Sequence, residues 1–438
     1  MLRRRLRRPR KPRVYRIHVE SYLVVLAVVF ALSVAISLLS QPKEVSYVLS
    51  HDFTVRDAAF LPSAHALANP SPVKGNRVEI LSNGDEFYPA MLAAIGAAKT
   101  TVNLENYIFW SGEIAARFRD TLAVTAQRGV QVRVLLDGIG SRKKLAESDV
   151  RAMRAAGCVV EFYHPVRPWM LDAINNRTHR RILVVDGRIG FTGSSGIADV
   201  WLGHADSLRH WRDMQVRVEG PVVAELQSAF QETWGEARGE ILVGDRFYPK
   251  LEPAGTAQAQ VIPSTRRAPS SATKLLYAVS IAAATQRIWL ANSYFVPDGD
   301  SIRLFADAAR RGVDVRILVP GKVNDVPATK AAGKAGFGEL LRAGIRIYEY
   351  QPTMLHTKTM VVDSLFATVG STNFDNRSFR LNEELNLTVA DMGFAHRLEE
   401  IFLEDLRHSR LYTYEEWSHR PWRERLVEWA IAPFRSQL

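Results

Sequence analysis

The chain has 438 residues, 47% hydrophobic and 24% charged, a balance that excludes a largely disordered protein and allows two or three domains or two fused halves. Its single cysteine, Cys158, excludes an intrachain disulfide framework and a cysteine-built zinc or iron–sulfur centre. The formal charge of +11 invites an anionic partner, but nine Arg or Lys fall within residues 1–16 and the rest carries only about +2, so the body is not obliged to bind nucleic acid.

In chain order, a basic segment, residues 1–21, precedes the uncharged run Tyr22–Leu39. Such a run, coiled as a helix, rises about 27 Å, close to the thickness of a hydrocarbon core. A transmembrane helix is therefore expected over residues 22–40. A retained anchor fits better than a cleaved signal peptide, because the small residues Ala31 and Ser33 fall inside the apolar run. The arginines on its N-terminal side predict a single-pass protein with its body on the non-cytoplasmic face. Residues 41–73 read as a stalk or packing segment.

A duplication follows. Arg128, Gly129, Val130, Val132 and Arg133 recur as Arg311, Gly312, Val313, Val315 and Arg316 at a constant offset of 183, and AAGCVVEFY from Ala155 resembles RAGIRIYEY from Arg342. In each copy an alanine-rich helix leads into a strand, a second helix and a further strand. Glycines supply the backbone angles that end the helices. The β-branched runs suit strands covered on both faces. The expected fold is α/β, two sheet-and-helix halves related by a pseudo-twofold, over residues 74–256 and 257–405. QAQVIP supplies a short first strand to the second half, and Cys158 reads as a buried structural thiol. The final segment, 406–438, sets Trp417, Trp422 and Trp429 among basic residues. It reads as an amphipathic helix docked on the body, with contact to a membrane surface as the alternative.

Late in each copy lies the same spacing. His179, Arg181 and Asp186 lead into Gly193-Ser194; His356, Lys358 and Asp363 lead into Gly370-Ser371 and Asn373. One such match among 11 histidines is unremarkable. Two, at matching places of a duplicated unit, make coincidence a poor explanation. Residues two apart on a strand share a face, so an imidazole and a cation can meet one phosphate. The glycine-serine turn can bring a hydroxyl and N–H groups to anionic oxygens. Arg181, Lys358, Ser194, Ser371 and Asn373 are thus candidate phosphate ligands, and Asp186 and Asp363 are candidates to hold the ring nitrogens turned from substrate. Facing halves would set two histidines on opposite sides of one phosphorus. One would attack to form a phosphohistidine while the other protonates the departing alkoxide and then serves as base. Spacing alone does not say which attacks. No metal and no cofactor is called for, since no H-x-H or H-E-x-x-H cluster is present.

With these motifs the sequence resembles the phospholipase D superfamily, marked by two H-x-K-x4-D motifs, and within it the bacterial cardiolipin synthase-like branch. The likeness covers residues 74–430, with NGDEFYPAMLAAI, ENYIFWSGEIA, GIADVWLGH and HWRDMQVRVEGP carrying the narrower resemblance. It implies a duplicated phospholipase D-like fold, His179 as nucleophile, His356 as general acid and base, and Glu384 as an acid that orients a histidine. Two departures put the equality of the halves in doubt: Arg181 replaces the expected lysine, and Gly196 stands where G-S-x-N has asparagine. The implied function is phosphatidyl transfer between phospholipids such as phosphatidylglycerol, phosphatidylethanolamine or cardiolipin. Hydrolysis to phosphatidic acid is the alternative, followed by a nuclease and a noncatalytic lipid-binding protein. Joined to the expected anchor, the resemblance implies the bacterial inner membrane.

Further pocket candidates are Glu105, Tyr107, His164, Trp169, His210 and Trp211. Glu105 reads equally as a satisfied acid at a strand end. The stretch containing Trp201, His204, His210, Trp211 and Asp213 is either a substrate wall or a set of structural hydrogen bonds. HPVRPWM, from His164, is a pocket rim or an ordinary proline-containing connection. Nothing in the sequence speaks to oligomeric state.

Overall fold

Aliphatic and β-branched runs recur at matched intervals in the two halves, and in the computed structural model each becomes a strand. It describes residues 54–57, 60, 71–165, 175–264 and 272–432, all within one unit, Leu49–Leu438. The first half contains β1 (Val73–Ser82), α1 (Gly84–Ala97), β2 (Thr101–Asn106), α2 (Glu113–Gln127), β3 (Gln131–Asp137), α3 (Glu147–Ala155), β4 (Val159–Tyr163), β5 (Ile182–Val185), β6 (Ile189–Gly193), β7 (Met214–Glu219) and α4 (Val223–Arg238). The second contains β8 (Ala257–Ser264), α5 (Ala272–Ala283), β9 (Arg287–Asn292), α6 (Gly299–Arg310), β10 (Asp314–Pro320), α7 (Pro327–Arg342), β11 (Arg346–Tyr350), β12 (Lys358–Val362), β13 (Phe366–Gly370), α8 (Asn376–Arg380), β14 (Glu384–Ala390) and α9 (Met392–Arg407). The chain continues as β15 (Ser409–Tyr412), α10 (Tyr414–Ser418) and α11 (Trp422–Ile431).

The strand order β1-β7-β6-β5-β2-β3-β4 of the first half is repeated by β8-β14-β13-β12-β9-β10-β11 in the second, and β15 extends the far edge. The halves join where β1 pairs antiparallel with β8, Val73 opposite Ala259. The duplicated α/β body read from the repeats is thus present, with its pseudo-twofold between β1 and β8. One apolar cluster, including Phe118, Val134 and Leu183, belongs to the first half, and another, including Phe305, Ile317 and Met360, to the second. A third draws on both halves, joining Val216, Phe230 and Trp234 to Val261, Leu387 and Ala395. Burial of these faces is the main attraction between the halves. Phe60, from the expected stalk, packs edge-on against Phe366, ring centroids 5.3 Å apart. Cys158 is a buried thiol, pushed up to about 11 by burial.

Within each half, β2 or β9 pairs in parallel with its neighbour on one side and antiparallel with β5 or β12 on the other. The start of β5 and of β12 therefore lies beside the C-terminal end of a parallel strand, the edge of an open α/β sheet where ligands gather. His179 lies three residues before the start of β5 and His356 two before that of β12. Asp186 and Asp363 lie at the other end of the same strands. Each sits in a tight hairpin at positive φ, 53° and 52°, a conformation that aspartate tolerates better than most residues. Asp186 accepts the backbone N–H groups of Lys99, Thr100 and Thr101; Asp363 accepts those of Thr285, Gln286 and Arg287. The expectation that these aspartates hold the histidine rings is corrected. At ~3.3 Å per residue, seven residues of extended chain carry each carboxylate roughly 20 Å from its imidazole.

The expected membrane-spanning helix is also corrected. No helix among the described residues is long and apolar enough to cross a membrane, and residues 22–40 lie outside the described residues. Among the described residues the fold is the duplicated body, and the single-pass inner-membrane location drawn from the expected helix is withdrawn.

The hairpin aspartates yield a stability prediction. Burial works to raise the Asp186 carboxyl, but the N–H groups of Thr101, Thr100 and Lys99 outweigh it and hold the group below its ordinary value. A carboxyl depressed in the folded state adds stability above its unfolded value of about 3.9 and loses it as pH falls through the folded value. Asp186→Ala should cost about 2 kcal/mol at pH 7, read by urea unfolding, with the gap to the parent closing below about pH 4.

Candidate active site

The two histidines are held from outside their own halves. The His179 N–H donates to the Glu383 carbonyl and the His356 N–H to the Arg212 carbonyl, each at 2.8 Å. Short parallel bridges, Thr178 with Glu383 and Arg212 with Leu355, surround these bonds. Side chains repeat the exchange. His179 Nδ1 lies 2.9 Å from both Glu384 oxygens, and His356 Nδ1 lies 2.7 Å from Asp213 Oδ2. Glu384 opens β14 and Asp213 immediately precedes β7, so the two carboxylates occupy equivalent places in the duplicated sheet. With Nδ1 engaged, each ring keeps Nε2 for chemistry.

A further layer fixes the carboxylates. The Ser371 hydroxyl donates to Glu384 at 2.5 Å, and that of Ser194 donates to Asp213. Asn382 Nδ2 approaches Glu384 at 3.3 Å, and Trp201 Nε1 donates to Asp213 at 2.8 Å. The two serines, expected as phosphate ligands, have their hydroxyls committed to carboxylates. Asn373 accepts the Ser293 hydroxyl at 2.9 Å through its side-chain oxygen.

Both cations sit on their histidines. Arg181 Nη2 lies 2.9 Å from His179 Nε2, and its Nη1 donates to the His179 carbonyl. Its buried Nε has no protein partner among the described residues, leaving a donor for an anion. Lys358 Nζ lies 3.2 Å from both ring nitrogens of His356 and donates to its carbonyl at 2.7 Å. The same-face geometry expected from the two-residue spacing is met in both halves. Among the described residues, no group of three or more His, Cys, Asp or Glu is placed to hold a metal.

Burial sets the protonation. It drives His179 well below its ordinary value, assisted by the positive charges of Arg181 and Lys358. The ring is therefore neutral at physiological pH, the state in which Nε2 carries a lone pair. Burial raises Glu384 to about 7 against the pull of Ser371 and Arg181. His356 is lowered by burial and Lys358, with Asp213 opposing. Lys358 is pushed down to about 7 by burial, which Asp213 resists.

The pocket candidates separate cleanly. Tyr107 lines the site, its ring centroid 4.9 Å from that of His179 and 5.7 Å from the Arg181 guanidinium. Trp211 lies against His356 at 5.5 Å and Trp201 at 5.3 Å. Glu105 does not face the pocket: it accepts the hydroxyls of Thr178 and Thr233 behind His179, and burial raises it to about 7. His164 stacks on Tyr163 and pairs with Glu236 at 3.1 Å, and His210 pairs with Asp206 at 2.8 Å; both serve local structure. Trp169 lies outside the described residues. Sequence reasoning placed Asp213 only in a stretch read as substrate wall or structural hydrogen bonds and missed its hold on His356, although the repeat contained the signal. Asp213-Met214-Gln215-Val216 aligns with Glu384-Leu385-Asn386-Leu387 once β7 is set against β14.

Similarity to known proteins runs across both halves. The family described as "Cardiolipin synthase, PLD-like domain" matches residues 91–234 and 277–406. A cardiolipin synthase of Geobacillus kaustophilus (strain HTA426) is 37% identical over 356 residues, covering 81% of this chain and 70% of that protein. Cardiolipin synthase A of Pseudomonas putida (strain F1) is 36% identical over 342 residues, covering 78% and 71%. Among solved structures, a phosphatidylserine synthase of Haemophilus influenzae Rd KW20 superposes with a TM-score of 0.64 at 14% identity. That match covers 86% of this chain and 98% of the other and shows a shared fold.

Gly196 has a steric reason for departing from the second half's Asn373. A Cβ there would lie 2.8 Å from both Ile108 Cβ and Trp201 Cζ3, so the space of the missing side chain is already filled. Restoring symmetry with Gly196→Asn should lower stability by about 1–3 kcal/mol through overpacking and displace Trp201 from Asp213. Thermal unfolding together with turnover checks this; the expected result is a loss in both.

Proposed function

The chain belongs to the phospholipase D superfamily, in its cardiolipin synthase-like branch, and on that footing we propose that it transfers a phosphatidyl group between phospholipids through a phosphohistidine on His179. The observation that carries the proposal is the pair of imidazoles, each with Nδ1 held by a carboxylate of the opposite half and Nε2 beside a cation. His179 Nε2 attacks the donor phosphorus and the P–O bond to the headgroup alcohol breaks. His356 gives its proton to that alkoxide. Arg181 and Lys358 offset charge on the nonbridging oxygens. In the second half-reaction a hydroxyl of an acceptor lipid loses its proton to His356, its oxygen bonds to phosphorus, and the P–N bond to His179 breaks. With phosphatidylglycerol as donor and acceptor, the products are cardiolipin and glycerol; with water as acceptor, the product is phosphatidic acid.

The roles of the neighbours follow. A neutral His179 attacks directly, and the hydrogen bond from its Nδ1 to Glu384 strengthens as positive charge grows on the ring. Asp213 favours the protonated His356 that the first step needs, and the arriving phosphate anion adds to that preference. Glu384 and Asp213 are thus positioning residues, and Trp201 and the two serines support them.

Mass spectrometry of products from labelled phosphatidylglycerol should find cardiolipin and released glycerol, both absent with His356→Ala. Phosphatidic acid as the sole product would reassign the activity to hydrolysis. The division of labour has a separate test. A phosphatidyl ester of p-nitrophenol has a leaving group that needs no proton, so His356→Ala should give one equivalent of p-nitrophenolate and then stall, while His179→Ala gives none. The reverse pattern would exchange the roles. For Asp213→Asn, losing the charge that favours protonated His356 should move the alkaline limb of kcat/KM to lower pH and cut turnover about 100-fold. An unshifted limb would remove Asp213 from this role.

A further inference from the structure

The last helix presents the opposite face from the one expected of a docked amphipathic helix. On α11, Trp422, Leu426 and Trp429 fall at i, i+4 and i+7 and form one stripe, with exposures of 68%, 53% and 76%. The opposite face is the charged one. Glu424 pairs with Lys334 of α7 at 3.3 Å, and the buried Glu428 pairs with Arg420 at 2.8 Å. The helix is thus tied to α7 by one ion pair and to its own preceding turn by another, and it leaves its apolar stripe in solvent. It is not a frayed end. Trp417 of α10, just before it, donates to the Lys334 carbonyl at 2.8 Å, and Arg420 lies over the Trp417 ring at 4.1 Å.

We infer that the Trp422–Leu426–Trp429 stripe seats the protein on the surface of an anionic phospholipid bilayer. Three observations select this partner. Exposed Arg423 and Arg425 border the stripe on its two sides, so tryptophan rings and guanidinium groups would meet the headgroup layer together, the composition suited to an interface. The stripe offers roughly 500 Å², short of the ~800 Å² per partner that a stable protein interface buries. Its position also suits the chemistry. α7, on which α11 lies, begins two residues after Asp325, whose carboxylate takes the Tyr294 hydroxyl at 2.6 Å beside His356. α11 is thus linked through α7 to the residues around His356. The choice of lipid as partner rests on the proposed function; the exposed stripe does not.

Its test uses the full chain in bilayer discs. The native Cys158 is buried, so Leu426→Cys carries a single environment-sensitive fluorophore, and Met392→Cys, exposed at the far end of β14 from the histidines, is the control. In phosphatidylglycerol-containing discs the label at 426 should shift to the blue and be quenched by brominated acyl chains, less so in phosphatidylcholine discs, while the label at 392 stays water-like. A water-like signal at 426 in both discs, equal shifts in both, or a shift requiring two copies per disc would overturn the inference. In parallel, the triple variant Trp422→Ser, Leu426→Ser, Trp429→Ser should lose at least fivefold turnover on bilayer phosphatidylglycerol and keep that on monomeric short-chain phosphatidylglycerol. Unchanged turnover on both would also overturn it. If the parent turns over neither lipid, the proposed function fails, and the fluorophore still decides the docking.

Discussion

Each motif imidazole is clamped by a carboxylate that reaches it across the pseudo-twofold, Glu384 to His179 and Asp213 to His356. Neither half therefore contains a complete site. The geometry of the chemistry depends on how the two sheets meet, through the β1–β8 pairing and the apolar cluster shared by both halves. Buried ionisable groups survive only when paired and hydrogen-bonded, and here serine hydroxyls, Asn382 and the Trp201 indole meet that demand. A shared core and a shared charge network make the halves one cooperative unit. Displacements of about 1 Å at such a junction are enough to lower rate.

Upon this symmetric frame the sequence has placed unequal groups. Arg181 contacts His179 where Lys358 contacts His356, and the planar guanidinium keeps its charge in a burial that pushes the lysine down to about 7. The tyrosines beside the histidines have different neighbours. Tyr107 has Asp137 and then the arginines 377, 181 and 177 within electrostatic reach, whereas Tyr294 donates to Asp325. Ile108 and Trp201 fill the volume that Asn373 occupies in the second half. A reaction that begins by attack on one side and ends by proton transfer on the other has use for such inequality, since the two imidazoles must differ in protonation when substrate arrives.

The motifs were legible for a local reason. Residues two apart on extended chain share a face whatever surrounds them, so the spacing alone pairs His179 with Arg181 and His356 with Lys358, although the histidines lie just before β5 and β12. The same rule, carried further along the strand, places Asp186 and Asp363 far from the rings. Their part is to gather the N–H groups of the turn that leads into the neighbouring strand, β2 or β9, which ties the hairpin end of β5 or β12 to that strand. Serine hydroxyls were misassigned because a hydroxyl near an anionic site can face substrate or carboxylate with equal chemical sense. Glu105 was open for the same reason, and only packing against Thr178 and Thr233 decided it.

By itself the sequence determined the duplication, the alternation of helix and strand, the buried thiol and the two histidine–cation pairs, because each follows from periodicity or from contacts within a few residues. Only the tertiary structure decided which carboxylate holds which ring, because Glu384 and Asp213 stand 205 and 143 residues from their partners. The outward stripe of α11 was decided the same way. A helical pattern says which residues share a face; it does not say which face the rest of the molecule covers, and here ion pairs to α7 and Arg420 turned the charged face inward.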